Sequence, residues 1–303
     1  MGAAGRHRGD HRGPVPHVEV LGVLRGRTVK RALALVLSIA ALALVLYPIV
    51  WLVSASLTPV EELVANLREL FPGSITGSGY AQALDGVGGS TFWTFLTNSL
   101  VVSGGAVIGN VVSCALAAYA FARLRFRLSG ALFAFSLLTI MLPAHVTLIP
   151  QYIVFQQLEF TDTFVPLILP KMLATDAFFV FLMVQFMRGI PYELDEAARI
   201  DGCGPVRNFR YVVLPLSQPA LVTTAIFTFI WTWNDFFSQL IYLSSTEKYT
   251  IPLGLRLFID QTSSSSYGAM FAMSVLSLVP IGLFFLAFQR FLVAGVATTG
   301  LKG

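Results

Sequence analysis

The chain has little charge. Asp, Glu, Lys and Arg make up 12% of its 303 residues, about half the share of an ordinary globular chain. So few charges cannot solvate a soluble domain of this length. With 55% hydrophobic residues and a mean hydropathy of +0.74, the chain needs lipid around it. There are two cysteines. Cys114 lies in an apolar run and Cys203 in a polar loop, so no disulfide framework is readable and the redox compartment stays open. The chain contains no CxxC and no HExxH, and no metal site is expected. It contains no GxxxxGK[ST], so it has no P-loop of its own for ATP. No Ser/His, paired-Asp or metal constellation is readable in the apolar runs, which argues against an intramembrane enzyme and leaves no catalytic residues to name. The net charge of +4 is small, and no nucleic-acid partner is expected.

What is present is a series of apolar runs, each about long enough for the ~30 Å hydrocarbon core of a bilayer. They fall at about 32–54, 96–121, 129–150, 165–187, 217–243 and 268–289. The third is interrupted by Pro143 and Pro150. A cleaved signal peptide is the rival reading of the first, since Ser54-Ala55-Ser56 is a run of small residues. The apolar stretch exceeds a usual signal core, which favours an uncleaved helix. The predicted fold class is therefore all-α, a polytopic membrane protein with six transmembrane helices and both termini cytoplasmic. Charge placement supports this orientation, because 16 of the 20 Lys and Arg fall on the proposed inner segments. Residues 1–31 form a basic cytoplasmic tail and 32–303 the membrane domain. His7 and His11, four apart, would make a metal pair only on a helix, and Gly5, Gly9, Gly13 and Pro14 argue against one. Residues 57–94 and 244–266 form external segments, the first Gly/Ser-rich.

One polar stretch stands out between the fourth and fifth runs, PYELDEAARIDGCGPVRNFRYVVLP, from Pro191 to Pro215. Pro191 suits a first helical position, and Glu193, Asp195 and Glu196 favour the positive end of the dipole. Leu194, Ala197 and Ala198 are expected to share one low apolar face. Gly202 and Gly204 stop the helix, and Pro205 starts a second that is expected to end at Pro215. Glu196-Ala197-Ala198, Gly202, Val212, Leu214 and Pro215 occur at the spacings of the EAA motif. Six such identities arise by chance in roughly one chain of this length in 10⁴. On these residues the chain resembles the membrane subunits of binding-protein-dependent ATP-driven importers, with Val212 where the family usually has Ile. The ending Phe288-Gln289-Arg290-Phe291 and Leu301-Lys302-Gly303 is similar to the carbohydrate, maltose-type branch.

The resemblance implies a type I importer permease fold in the cell (inner or plasma) membrane. It implies a second permease subunit, two ATP-binding subunits and an extracytoplasmic substrate-binding protein as partners, besides membrane lipid. ATP and Mg would be used by the partner subunits, with no cofactor in this chain. It carries the ATPase-coupling role to Glu196, Ala197, Ala198, Gly202, Leu214 and Pro215. A segment of about residues 246–267 corresponds to the family's external loop toward the binding protein.

Trp231-Thr232-Trp233-Asn234-Asp235-Phe236 places polar groups within a span, where they face a cavity or hydrogen-bond between helices. Aromatic rings beside polar groups suit a sugar, and the stretch resembles an element of the fifth span in maltose-type permeases. Trp231, Trp233, Asn234, Asp235, Asp176 and His145 are the candidate pathway residues. Lys171 or Asp176 could pair with Asp235 across the bundle. Two alternatives remain open. One is a permease of the same family for a sugar phosphate such as glycerol-phosphate, which a buried excess of Arg or Lys near the cavity would favour, or for another small solute. An ion-coupled secondary transporter would show inverted repeats and several buried ionisable groups, and no such repeat is readable.

Overall fold

The computed structural model describes residues 17–65, 73–260 and 266–299. Arg6, Arg8, Arg12, the His7–His11 pair, Arg68, residues 263–265 and Leu301-Lys302-Gly303 lie outside the described residues. Residues 1–51 and 52–303 form two separate units.

In the first unit, helix α1 starts at His17, inside the segment that composition reads as a tail, and its range His17–Ser56 runs on into the second unit. Its apolar part, Arg31–Ser56, has a mean hydropathy of 2.7. Leu35, Val36, Leu44 and Val45 are all more than half exposed. A helix that is apolar all round is a membrane span, since only lipid or another apolar helix can cover it.

The second unit is helical among its described residues. Two short helices, α2 (Val60–Ala65) and α3 (Ser78–Asp85), precede the long α4 (Phe92–Arg123). The third apolar run is two helices, α5 (Ser129–Thr139) and α6 (Ala144–Gln157), parted just before Pro143. Pro143 cannot donate to the ladder, and the residue before a proline is pushed out of the helical region. Pro150, by contrast, lies inside α6. The fourth run is also divided, into α7 (Val165–Met172) and α8 (Ala177–Arg188). The polar loop holds α9 (Glu193–Ile200) and α10 (Pro205–Asn208), followed by a π-helical turn Phe209–Val213 and α11 (Leu214–Leu216). The fifth run is α12 (Gln218–Trp233) and α13 (Phe237–Tyr242). After α14 (Ile251–Asp260), α15 (Ser266–Thr299) ends the described chain. Among the described residues, four helical segments are long and apolar enough to cross a membrane, and five if α10–α11 and α12, bent by 74°, count as one.

α4 is the axis of this unit. Its C-terminal half packs with α8 around Cys114, Ala118, Phe179 and Met183. Its N-terminal half joins α12, α14 and α15 around Phe95, Phe229, Ile251 and Met273. Lipid offers no hydrophobic drive for helices to associate, so close packing of small residues has to hold them. Gly105 and Gly109, one turn apart, supply it. A Cβ at Gly105 would come within 2.9 Å of Ile168, and one at Gly109 within 2.6 Å of Met172 Cγ, both on α7. Buried hydrogen bonds add to this, with Asn110 Nδ2 donating to Thr228 Oγ1 at 2.8 Å.

At the outer ends, Asp162 closes two loops together. Its Oδ1 accepts from the backbone N–H of Ser244 and Ser245 at 2.9 and 3.0 Å, and Lys248 pairs with Oδ2 at 3.4 Å. Burial pushes this carboxyl up, but the hydrogen bonds from Ser245, Ser244 and Lys248 outweigh it, and its pKa lies well below the usual carboxylate range.

The two glycine faces of α4 make opposite predictions. Gly109→Leu overfills the α4–α7 contact, where overpacking costs about 1–3 kcal/mol, whereas Gly104 has nothing within 4 Å of its Cβ position. The thermal midpoint in detergent should fall for Gly109→Leu and stay near the parent for Gly104→Leu. Equal midpoints for the two variants would show that this contact does not hold the helices.

Candidate functional site: a tethered loop and a central cavity

The polar loop folds as its residues dictate. Gly202 has φ +78°, a left-handed conformation that side chains with a Cβ rarely adopt. The N–H of Cys203 donates to the Ala198 carbonyl at 2.8 Å and that of Gly202 to Arg199 at 3.0 Å. This is the Schellman pattern that ends a helix on glycine.

A buried ion pair ties the loop to the bundle. Arg123, the last residue of α4, places Nη1 2.9 Å from Asp195 Oδ2, with side chains 2% and 6% exposed. Arg123 Nη2 also donates to the carbonyls of Met187 and Ile190, at 2.7 and 2.8 Å. Those carbonyls are at the end of α8, so one guanidinium ties α4, α8 and α9 together. Asn208 Nδ2 donates to Asp195 Oδ1 at 2.8 Å, and Tyr119 Oη donates to the Pro205 carbonyl at 2.8 Å. Tyr192 lies under the guanidinium, its ring centroid 4.6 Å from Cζ, and its hydroxyl donates to the Ala122 carbonyl. Asp195 was legible only as a dipole partner, and Arg123 only as an inner-loop charge. Tyr119 and Asn208 gave no signal, because their partners are remote in sequence.

The loop corrects one expectation. Ala198 does not share a face with Leu194 and Ala197. It is buried beside Asp195 and faces the bundle. The tether through Asp195 sets the rotation of α9, and Ala198, three residues on, turns inward with it. The outward face carries Leu194, Ala197 and Ile200 (Ile200 87% exposed), with Val206 79% exposed beyond the elbow. Glu196 is exposed, Leu214 packs partly against the inner core, and Pro215 is exposed. Pro215 does not end the second helix, which continues to Leu216. The π-helical turn ahead of it widens the ladder and makes room for the proline.

The breaks in α5–α6, α7–α8 and α12–α13 line an open cavity of about 1000 Å³. Irregular backbone at membrane depth is tolerated where it lines such a space. His145, Asp176, Trp231 and Asp235 line it, together with Lys171 and Gln151. Trp231 is half exposed, its ring centroid 5.2 Å from Phe179 and 5.8 Å from Phe227. Trp233 is buried and stacks on Phe229 at 5.3 Å. Asn234 caps its own helix by donating to the Ile230 carbonyl at 2.7 Å. These two expected pathway residues are absent from the cavity lining.

The expected pairing with Asp235 is also corrected. Lys171 Nζ donates to both oxygens of Asp176, at 3.1 and 2.8 Å. In an unbroken helix, residues five apart diverge around the axis. The break from Leu173, with Ala174 at φ +54°, folds the two together. Asp235 Oδ1 instead accepts from the Ser238 N–H at 3.0 Å, at the start of α13. Gln239 donates to the Thr232 carbonyl at 3.1 Å, a second donor beside the Asp235 N–H at 3.3 Å, across the break between α12 and α13.

The family model for "Binding-protein-dependent transport system inner membrane component" matches residues 109–298. The chain is 32% identical over 259 residues to the arabinooligosaccharides transport system permease protein AraQ of Halalkalibacterium halodurans, covering 85% of this chain and 91% of that protein. It is 31% identical to the sn-glycerol-3-phosphate transport system permease protein UgpE of Rhizobium meliloti, covering 91% and 99%. Among solved structures, it superposes with a TM-score of 0.75 and 25% identity on a chain of a bacterial ABC transporter involved in the import of the acidic polysaccharide alginate. That match covers 87% of this chain and 96% of the other.

Removing one side of the tether strands a buried charge, which costs about 3–5 kcal/mol. Asp195→Ala should therefore free α9 and α10, and trypsin cleavage at the exposed Arg199 and Arg207 should quicken by about a hundredfold or more as local opening becomes easier. An unchanged cleavage rate would show that the loop is held by something other than this pair.

Proposed function

The chain belongs to the family of inner-membrane components of binding-protein-dependent transport systems, and from that premise we propose that it forms half of the translocation path of an ATP-driven sugar importer. It is a transport subunit and not an enzyme, a multi-pass membrane protein whose family works with an ATPase and a substrate-binding protein. In this reading the chain crosses the membrane six times with both ends inside, and α5–α6, α7–α8 and α12–α13 are broken crossings. A second, distinct permease completes the path. Two ATP-binding subunits dock below and use ATP and Mg, and an external binding protein delivers substrate.

The observation that carries the reading is the tethered loop. It presents a low apolar ridge of Leu194, Ala197 and Ile200 outward while Arg123 fixes its inner face to α4, α8 and the start of the bundle. A groove on an ATPase that grips this ridge moves the spans along with it. Closure of the two ATPases on ATP draws the loops together and opens the cavity outward, and hydrolysis resets it inward. Sugar as cargo is supported by the half-exposed Trp231 beside polar groups, since rings stack on the C–H face of a sugar and polar groups take its hydroxyls. The relative AraQ is named for the transport of arabinooligosaccharides, which are sugars.

Purification of the tagged chain in mild detergent, followed by mass spectrometry, should recover an ATPase and a second permease in matched amounts. The chain alone, or only copies of itself, would favour an ion-coupled transporter instead. Gly202→Pro, which cannot adopt the positive φ of the elbow, should reduce sugar uptake in cells to background while the amount of chain in the membrane stays at the parent level. Normal uptake would remove the coupling role from this loop.

A further inference from the structure

The cavity carries a charge pattern that bears on the class of sugar it accepts. Four of its lining side chains are ordinarily titratable near neutral pH or charged there: Lys171, Asp176, Asp235 and His145. An anionic cargo would need a free cation among them. Among the described residues Lys171 is the one fixed cation of the lining, and its Nζ is held by both oxygens of Asp176, within 3.1 Å. Asp235 has no ion-pair partner among the described residues, and its Oδ1 takes a single backbone N–H. Beside His145, whose ring packs on Phe237 with centroids 5.1 Å apart, the lining therefore presents one neutralised pair and one carboxylate with no ion-pair partner among the described residues. Within a few ångströms of that carboxylate a like charge is repelled, and the more so the less water stands between them.

Resting on the reading of this cavity as the sugar path, we infer that it admits uncharged and amino sugars and rejects sugar phosphates and uronates, with Asp235 as the discriminating residue. This separates the chain from relatives named for glycerol-3-phosphate and from the transporter of acidic alginate, whose matches are otherwise extensive. The half-exposed Trp231 face gives the ring a stacking surface, and the carboxylate decides which ring substituents can approach it.

Saturation-transfer NMR on the detergent-purified importer complex tests this with four matched probes at pH 8: glucose, glucosamine, glucuronate and glucose 6-phosphate. Glucose and glucosamine should give signals that Trp231→Ala removes, and the two anions should give Trp231-dependent signals at least tenfold weaker. Asp235→Asn should raise the anion signals toward that of glucose and leave the glucose signal in place. Anions binding the parent as well as glucose, in a Trp231-dependent way, would overturn the charge rule and leave the sugar path standing. So would anion signals that stay weak in Asp235→Asn while glucose still binds. Absence of any Trp231-dependent signal for all four probes would overturn the sugar path itself, and the charge rule with it.

Discussion

The structure depends on one buried charge contact. Arg123 and Asp195 meet at 2.9 Å with almost no exposure, where an unpaired partner would be severely penalised. Such a pair adds little net stability over an apolar substitute, but it is directional, and it permits one placement of α9 relative to α4. Met187 and Ile190 extend the constraint to α8, and Asn208 to α10. The loop is thus a rigid continuation of the bundle, a property that packing of its small polar helices could not supply.

The cavity follows from a second constraint, the requirement that backbone groups at membrane depth be satisfied. At the break in the fifth run, Asp235 Oδ1 takes the Ser238 N–H at the start of α13. Asn234 and Gln239 add second donors to the Ile230 and Thr232 carbonyls, which already accept the backbone N–H of Asn234 and Asp235. Asp235 and Gln239 do this while also lining the open space.

The elbow was readable because its causes are local. Gly202, the acidic first turn and Pro205 act on their own neighbours, so spacing along the chain reports them directly. Ala198 was misread because helical periodicity defines faces without saying which one looks inward, and that choice was made by an arginine 72 positions upstream of Asp195. The Lys171–Asp176 pair was missed for a related reason. Reading 165–187 as one continuous helix separates the two, and only the left-handed Ala174 brings them together. Pro143 announced its break plainly, whereas the break near Leu173 has no proline at its centre and rests on tertiary packing.

Asp162 has a mechanical consequence. By clasping the connection before α7 to the one after α13, it makes these two connections a single plate. Asn98, near the outer end of α4, donates to the Glu247 and Tyr249 carbonyls on the same plate. α4, about 48 Å long at the usual rise, is therefore gripped at both tips, like an axle with a wheel fixed at each end. A displacement applied at the Arg123 end therefore meets, at the other end of α4, connections held by hydrogen bonds and not free loops.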